Sequence, residues 1–346
     1  MPSTPTNVLD PSASLAKADE LLAEGRPREA IDLLSAANRR ARDTTVEQRL
    51  VQVRHTGFAS IDRSPGRADW PPDTADLFPV GGHPPEVAGF DLTAEALGSG
   101  ILRHGCLLVR GLVPRTKVAP LVEAIDKAME SYDAHCEGVP ISETAPWFVP
   151  FEPDAGYSVR YGRQWVRDAG GAWMVDSPRA LFELTETFQD VGVDRALTGY
   201  LGERPALSVK KCTLRRVSPD TSADWHQDGA FLGAGIRTVN VWLSLSHCGD
   251  DAPGLDVVPR RLDHIVETGT HGAQFDWSVG PELVEDVAAD ARVVRPIFEP
   301  GDALLFDDFF LHQTGVSPGM THERYAIESW FFAPSTYPDD QIPILF

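Results

Sequence analysis

The chain has 346 residues, of which 42% are hydrophobic, and its 51 acidic and 31 basic residues give a formal net charge of −20. This length suits one large domain or two ordinary ones, and the apolar content excludes a globally disordered chain. The acidic balance disfavours nucleic acids and anionic membranes as partners, because both are bound by clustered lysine and arginine side chains.

The N-terminal stretch and the cysteines predict a soluble cytoplasmic protein. Residues 1–10 are polar and lack the apolar core of a secretory signal. No apolar run approaches the roughly 20 residues that span a bilayer. The four cysteines contain no Cys-x-x-Cys pair, which argues against a structural zinc site. We therefore expect reduced thiols in the core at Cys106, Cys136, Cys212 and Cys248.

The N-terminal part of the chain predicts helices. After a polar leader over residues 1–12, expected to be disordered, apolar residues recur at helical spacing in three successive runs, the first from Leu15. The Gly25 turn and the Glu-Ala-Ile that follows it resemble the centre of a tetratricopeptide repeat. Only one such unit is visible, and a solenoid needs about three. We therefore expect residues 1–58 to form a helical hairpin packed on its own domain or on a dimer partner, rather than a peptide-binding array.

The middle of the chain contains two stretches with many turn-forming residues. Residues 59–94 are rich in proline, glycine and aspartate, which predicts a linker or a wrapping segment before a domain over residues 95–346. Residues 132–172 combine proline and glycine with aromatic residues at Trp147, Phe148, Phe151, Tyr157, Tyr161 and Trp165. Long irregular stretches in compact domains are usually functional or mobile, so we interpret residues 132–172 as a candidate lid that selects the substrate.

The last part of the chain predicts a β-structure. Residues 178–201 still have helical spacing, but from Ala206 the sequence changes to short apolar or alternating runs separated by turns. Such runs predict an antiparallel sandwich or barrel. The predicted strands are 207–217, 238–245, 255–258, 292–298, 303–309 and 325–332. Neither a Gly-x-Gly-x-x-Gly turn nor a P-loop is present, so a nucleotide-binding fold is not supported.

The motif that carries most chemistry is His226-Gln227-Asp228 with a distant His312. Residues i and i+2 of a strand point to the same face, so His226 and Asp228 can reach one ion. Two imidazoles and one carboxylate form the facial ligand set of non-haem Fe(II) oxygenases. Three protein ligands leave three positions open, two for a chelating co-substrate and one for oxygen. An isolated His-x-Asp is a weak signal, because most instances are core histidines with ordinary hydrogen bonds.

Arg324 strengthens this interpretation, because it opens an apolar run that predicts a buried strand. An arginine cannot be neutralised by losing its proton, so a buried one needs an anionic partner. A carboxylate held by both arms of the guanidinium is the natural choice. The alternative is a salt bridge to a nearby acid such as Asp307, Asp308 or Glu323.

Several motifs then occur in the order known from one family: His226-Gln227-Asp228-Gly229, residues 240–245, 254–259 and 300–306, His312-Gln313-Thr314, and Arg324. Over residues 95–335 the chain resembles the phytanoyl-CoA dioxygenase group of Fe(II)/2-oxoglutarate-dependent oxygenases. The resemblance implies a mainly β fold with flanking helices, built on a double-stranded β-helix (jelly-roll) core. It also implies Fe(II), 2-oxoglutarate and O2 as cofactor and co-substrates.

The resemblance also implies roles for individual residues. The metal ligands would be His226, Asp228 and His312, and Arg324 would complete the catalytic set by holding the distal carboxylate of 2-oxoglutarate. Thr314 matches a position where the family has a hydroxyl residue that aids this carboxylate. Three further residues, for which ordinary strand packing is an equal alternative, are expected to line the co-substrate pocket: Thr213, Asn240 and Trp242.

One motif departs from the family. Where many relatives have Gly-Ser-His after Val258-Pro259, this chain has Arg260-Arg261-Leu262-Asp263-His264. The resemblance places this loop at the mouth of the active site. The two arginines are either solvated surface charges or attract an anionic substrate. The departure puts specificity for an acyl-CoA in doubt.

The predicted function is hydroxylation of an aliphatic C–H bond of a lipid-like or secondary-metabolite small molecule, with release of succinate and CO2. Asp228 argues against a halogenase, in which loss of the carboxylate opens a site for halide. One alternative is a jelly-roll metalloenzyme without oxygen activation, such as an isomerase or hydrolase, which leaves Arg324 unexplained. Another is an interaction module that recruits a partner through its helical hairpin. The expected partners are a small-molecule substrate and a second copy bound through the N-terminal helices.

Overall fold

The computed structural model describes residues 10–67, 69–79, 81–157, 159, 162–221 and 224–346. Its helices are α1 Pro11–Ala23, α2 Pro27–Arg40, α3 Thr44–Thr56, α4 Ala94–His104, α5 Arg115–Cys136, α6 Ile141–Thr144, α7 Arg163–Asp168, α8 Pro178–Asp190, α9 Val193–Leu201, α10 Gly229–Leu232 and α11 Pro281–Ala288. Its strands are β1 Glu86–Ala88, β2 Cys106–Arg110, β3 Gly171–Trp173, β4 Ala206–Val217, β5 Thr238–Ser244, β6 Gly254–Val257, β7 Ala303–Phe306, β8 His312–Gly315, β9 Arg324–Phe332 and β10 Pro343–Leu345.

Two sheets face each other. The major sheet has the order β1-β2-β7-β5-β9-β4-β10, with β3 also paired to β4. The minor sheet pairs β6 with β8 and is extended by isolated bridges at His226 and Val294. Apolar side chains fill the space between the sheets, among them Trp242, Phe306 and Trp330. This arrangement confirms the predicted double-stranded β-helix with flanking helices.

Helices cover the outer face of the major sheet. On β5, Val239, Val241 and Leu243 point away from the barrel interior and join the large core that α4, α5 and α8 complete. Residues 178–201 are helical as predicted and form two helices, α8 and α9, because Gly192 between them has a φ of +80°. Only glycine adopts this conformation at little cost, so the helix ends there.

The minor sheet differs from the predicted strands. Residues 292–298 form only isolated bridges at Val294 and Phe298, since Pro296 has no N–H to donate. Strand β7 ends at Phe306 rather than at residue 309, because the Asp307 carboxylate accepts the N–H of Phe309 and closes a turn. His312 does not follow that strand directly but begins β8, which the polar sequence His-Gln-Thr-Gly did not reveal.

The N-terminal helices pack on the rest of the same chain. The predicted leader lies mostly outside the described residues, and α1 already begins at Pro11. Apolar side chains of α1–α3 form a cluster with Phe182 and Leu345. At the same junction, Arg54 Nη1 donates to the Leu345 carbonyl at 2.7 Å and His55 Nδ1 contacts the Pro343 carbonyl oxygen at 2.8 Å. The inner faces of these helices are therefore occupied by β10 and α8.

Residues 132–172 are more regular than predicted. The segment includes the end of α5, both α6 and α7, and the start of β3, while Tyr161 lies outside the described residues. Phe148 and Phe151 are buried. The Asp176 carboxylate accepts the Phe151 N–H at 2.7 Å and pairs with Arg163 Nε at 2.8 Å. These bonds fix the segment on both sides of its exposed stretch, residues 152–157.

The cysteines only partly match the predicted core thiols. Cys106, Cys212 and Cys248 are buried and free, whereas Cys136 is free but exposed at the end of α5. Among the described residues, no helix has the length and apolar content needed to cross a membrane.

Candidate metal centre

His226, Asp228 and His312 converge. Their ligand atoms lie within 4.8 Å of one another. The two histidines sit on paired backbone, where the His226 N–H donates to the His312 carbonyl at 2.9 Å and the His312 N–H donates to the His226 carbonyl at 3.1 Å. Asp228 does not continue this strand, because its φ of −60° and ψ of −25° are helical and it precedes α10. The carboxylate therefore reaches the histidines from the residue that precedes a helix. The prediction that His226 and Asp228 share one face of a strand was wrong.

Backbone carbonyls orient both imidazole rings. His226 Nδ1 lies 2.8 Å from the Asp224 carbonyl oxygen, and His312 Nδ1 lies 3.0 Å from that of Phe310. A carbonyl only accepts, so each Nδ1 carries the proton and each Nε2 keeps a free lone pair. Metal-binding histidines are commonly fixed in this way, with one nitrogen anchored and the other presented to the ion.

The charges also suit a cation. Burial alone would raise the pKa of Asp228, but Lys211, whose Nζ lies 3.1 Å from Oδ1, and the two histidines lower it overall. Burial, reinforced by His226, lowers the pKa of His312 to about 4. At neutral pH the carboxylate is therefore ionised and His312 is neutral, which are the protonation states that a metal requires.

Gln227, between the two ligands, has a structural role. It is fully buried, and its Nε2 donates to the carbonyls of His264 at 3.0 Å and Phe309 at 2.6 Å. Its Oε1 accepts the Val266 N–H at 2.7 Å. The side chain thus ties the ligand-bearing segment to two neighbouring loops.

Arg324 is a buried cation with spare hydrogen-bonding capacity. The residue is 2% exposed, and Nη1 donates to the Gly254 carbonyl at 2.9 Å. Its Nε is buried and has no partner among the described residues. No described carboxylate lies within ion-pair distance, and two of the acids considered as alternatives, Asp307 and Glu323, pair with Arg261 and Arg216 instead. The guanidinium is thus free to bind an external carboxylate.

The four expected pocket residues lie on the strands around Arg324, with different contacts. Trp242 is buried, and the Arg324 guanidinium carbon lies 5.3 Å from its ring centre. Asn240 is buried, and its Oδ1 accepts the Ser329 N–H at 3.3 Å, so this oxygen already has a backbone partner. Thr213 is buried opposite Glu328 on β9, and Thr314 is half-buried two residues after His312.

Three charged residues inside the barrel were not predicted from the sequence: Lys211, Arg215 and Glu328. Lys211 and Arg215 project from β4 towards Asp228 and Glu328, and Arg215 Nη2 lies 3.1 Å from Glu328. A signal for them existed. Lys211 and Arg215 lie at alternating positions of a predicted strand, and Glu328 interrupts a predicted strand that is otherwise mostly apolar. Such charged residues indicate that one face of the strand borders a polar interior.

Three aromatic residues beside the metal centre were also missed. Trp277 lies edge-on to His226 at 5.7 Å between ring centres, and Phe231 lies 6.4 Å from the same ring. Phe275 stacks on Trp277 at 5.1 Å. Phe275 and Trp277 belong to a loop without periodic spacing, so the sequence carried no signal for their position.

The two arginines of the unusual loop make ordinary structural contacts. Arg260 Nη1 donates to the Val287 carbonyl at 2.8 Å. Arg261 pairs with the buried Asp307 and lies over the Phe309 ring at 5.2 Å. Both guanidinium groups therefore already have partners within the chain.

The family model for phytanoyl-CoA dioxygenase (PhyH) matches residues 101–320. EctD from S. alaskensis, solved with 2-oxoglutarate and 5-hydroxyectoine, is 16% identical, with a TM-score of 0.46 over 70% of this chain and 76% of that one. AviO1 from Streptomyces viridochromogenes Tue57 is 16% identical, with a TM-score of 0.44 over 71% and 98%. SnoK, a non-heme alpha ketoglutarate dependent carbocyclase from nogalamycin biosynthesis, is 13% identical, with a TM-score of 0.44 over 71% and 86%. None of the curated proteins matches.

Proposed function

The chain belongs to the phytanoyl-CoA dioxygenase family, and we propose that it hydroxylates an aliphatic C–H bond of a small molecule, with release of succinate and CO2. It is an Fe(II)- and 2-oxoglutarate-dependent dioxygenase, with O2 as the second co-substrate. The observation that carries the proposal is the convergence of His226, Asp228 and His312 in a barrel that also buries Arg324, whose Nε has no partner among the described residues.

His226, Asp228 and His312 would hold the iron through two imidazole Nε2 atoms and one carboxylate. When bound, iron and 2-oxoglutarate supply the oxidising power needed to remove hydrogen from an unactivated carbon. The chain's own part is to keep the carboxylate ionised, to hold both rings by their Nδ1 protons and to exclude water from the interior. Because Asp228 occupies the carboxylate position, hydroxylation is favoured over halogenation.

Arg324 would hold the distal carboxylate of 2-oxoglutarate. Its unpartnered Nε supports this role, since a buried charge left without an anion is costly. The Trp242 ring and the Thr314 hydroxyl would flank the bound carboxylate. Thr213 would contribute to the same pocket, and Asn240 would do so through its amide nitrogen, because its oxygen is already engaged.

We propose the following organisation for the chain. Residues 1–58 form the helical segment, residues 59–94 a wrapping segment, and residues 95–346 the oxygenase domain with the candidate lid. The free cysteines support a cytoplasmic location. A homodimer through the N-terminal helices would use the outward face of α1, where most residues are exposed. Sedimentation of the full chain, compared with a variant carrying reversed charges on that face, tests the dimer.

The test of the function is succinate formation by the full chain supplied with Fe(II), ascorbate, O2 and 2-oxoglutarate. We expect succinate from the wild type and at least a ~100-fold loss in His226→Ala, because removing a ligand removes the metal. His264→Ala is the matched control, since the exposed His264 side chain pairs with Asp263 and the substitution keeps the backbone carbonyl that Gln227 contacts, so activity should be retained. Full succinate formation by His226→Ala would overturn the proposal.

A further inference from the structure

An exposed aromatic surface adjoins the metal centre. Phe231, Phe275 and Trp277, here called the aromatic wall, are 37%, 51% and 38% exposed. Phe275 and Trp277 are parallel to within 2°, and Phe231 lies edge-on to Trp277 at 6.1 Å. Clustered exposed aromatic rings are costly in water and commonly mark binding sites. The contact between Trp277 and His226 places this surface beside a metal ligand.

The aromatic wall is positioned by the same residue that orients His226. The Asp224 carbonyl accepts the Nδ1 proton of His226, while the Asp224 carboxylate accepts the Gln274 N–H at 3.1 Å and the Ser278 hydroxyl at 3.0 Å. These bonds fix the loop that carries Phe275 and Trp277. The wall therefore has a defined position relative to the metal ligands before any substrate arrives.

A cation lies at the inner edge of the wall. Lys211 Nζ is 3.8 Å from the centre of the Phe231 ring and 3.1 Å from Asp228 Oδ1. The pairing of β4 with β9 shifts between Leu207 and Cys212, and Lys211 lies within this irregularity. A β-bulge of this kind redirects a side chain, and here the ammonium group is directed towards the metal centre.

The charge balance leaves Lys211 without a counter-charge once the co-substrate is bound. Arg215 is neutralised by Glu328, and Arg324 would be neutralised by the distal carboxylate of 2-oxoglutarate. The two charges of Fe(II) would be neutralised by Asp228 and by the remaining 2-oxoglutarate carboxylate. Asp228 Oδ2 faces His312 at 3.8 Å whereas Oδ1 faces Lys211, so the ammonium can keep one bond and still offer its other protons to an incoming anion.

We propose that Lys211 and the aromatic wall form the primary-substrate site, and that the substrate combines a carboxylate with a flat apolar body. The body would stack on Phe231 and Trp277 beside His226, while the carboxylate would bind Lys211. This inference rests on the proposed function. It locates anion recognition at Lys211 rather than at Arg260 and Arg261, whose guanidinium groups are engaged within the chain.

The test is calorimetric binding without oxygen, using the full chain loaded with Mn(II) and 2-oxoglutarate. The probes are 3-phenylpropionate and its uncharged amide, 3-phenylpropionamide. We expect the carboxylate to bind at least ~10-fold more tightly than the amide, as one charge-assisted bond provides. Lys211→Met should abolish this preference, and Lys211→Arg should restore most of it. Lys210→Met is the matched control, because Lys210 Nζ contacts the Asp340 carbonyl oxygen instead.

The aromatic wall is tested with the same probes. Trp277→Ala should weaken both probes by a similar factor of about 5 to 10. Trp165→Ala, which removes an indole that is 69% exposed elsewhere, should change neither. Equal affinity for the two probes, or binding of neither, would overturn the inference while wild-type succinate formation still supported the proposed function. Failure of the wild type to bind 2-oxoglutarate would overturn both.

Discussion

Arg163 and Arg324 are both largely buried arginines, but their surroundings differ. Arg163 lies in the segment between α5 and β3, and two of its nitrogens contact the Asp176 carboxylate at 2.8 and 3.0 Å. Arg324 lies in the barrel interior, where it contacts backbone carbonyls and keeps an unpartnered Nε. A largely buried charge paired with a carboxylate stabilises a local structure. A buried charge with free donors is what a ligand site requires.

This difference shifts the region expected to select the substrate from residues 132–172 to the aromatic residues beside the metal centre. Residues 132–172 predicted a lid because of their length and aromatic content. Two of those aromatic residues, Phe148 and Phe151, belong to the core, and the Asp176 bonds fix the segment near them. The exposed rings beside the metal centre belong instead to Phe231 and to the loop that carries Trp277.

The largest expected effect is that of Arg324→Met. Removing the only cation proposed for the distal carboxylate should weaken 2-oxoglutarate binding by at least ~100-fold. The free chain should not be destabilised, because an unpaired buried charge is replaced by an apolar side chain. Thermal melting with Mn(II) measures the stability of the chain, and the shift in melting temperature on adding 2-oxoglutarate measures binding. Arg260→Met should keep the 2-oxoglutarate-dependent shift, and a preserved shift in Arg324→Met would contradict the assignment.

Asp308 is a buried carboxyl group without a cationic partner among the described residues, and so it can be compared with Arg324. It is 5% exposed, and burial together with Asp307 raises its pKa to about 7. The folded chain thus holds this proton more tightly than the unfolded chain, so stability is lost as pH rises from about 4 to 7. Asp308→Asn should remove this loss. The free energy of unfolding of the variant, taken relative to that of the wild type, should therefore rise by on the order of 3 kcal/mol when the pH is raised from 4 to 8. Urea unfolding of the metal-free chain measures it.

The exposed Asp263→Asn serves as the control for Asp308→Asn, because its side chain is 92% exposed and should change stability little. If the difference in the free energy of unfolding between Asp308→Asn and the wild type stays constant with pH, Asp308 is not the titrating group.

Asp176→Asn tests the structural role of the ion pair between Arg163 and Asp176. Arg163 would lose its charged partner while the chain keeps its fold, so the free energy of unfolding should fall by about 2 kcal/mol. The KM for 2-oxoglutarate should stay within about twofold, because the pair is structural rather than part of the site. Asp154→Asn, at a half-exposed carboxylate, is the control. A large rise in KM would place the segment in the active site after all.

The smallest expected effect concerns residues 152–157, the exposed stretch of the candidate lid. If this stretch closes over the site, Mn(II) and 2-oxoglutarate should slow its cleavage by a protease by a few-fold. Mapping the first cleavage sites by mass spectrometry measures this. Identical cleavage rates with and without ligands would restrict the segment to a structural role.

Chemistry was easier to predict from the sequence than geometry. Two imidazoles and a carboxylate identify a metal site by residue type, so His226, Asp228 and His312 could be selected without knowing the backbone. The reason given for Asp228 was wrong, because the chain leaves the strand and enters α10 there. The short apolar runs predicted an antiparallel sandwich or barrel, and the family resemblance implied the jelly roll, whereas β8 has too few apolar residues to be found from such runs.

The alternating charges of β4 could have indicated that Lys211 faces a polar interior, but its direction towards the metal centre could not be predicted. Its direction depends on the register shift between β4 and β9, because an odd number of extra residues on one strand reverses which side chains face the interior. The position of Trp277 depends on hydrogen bonds from Asp224 to a loop about 50 residues later in the chain. Neither relation leaves a pattern in local sequence.

The junction between α3 and β10 has a consequence for the order of folding. Arg54 and Leu345 are separated by 291 positions, yet they share a hydrogen bond. During synthesis the helices emerge before β10, the strand against which α3 packs. The part of their apolar surface that packs on β10 therefore stays uncovered until that strand has been made. Their docking would be a late step, and it would report that the barrel has closed.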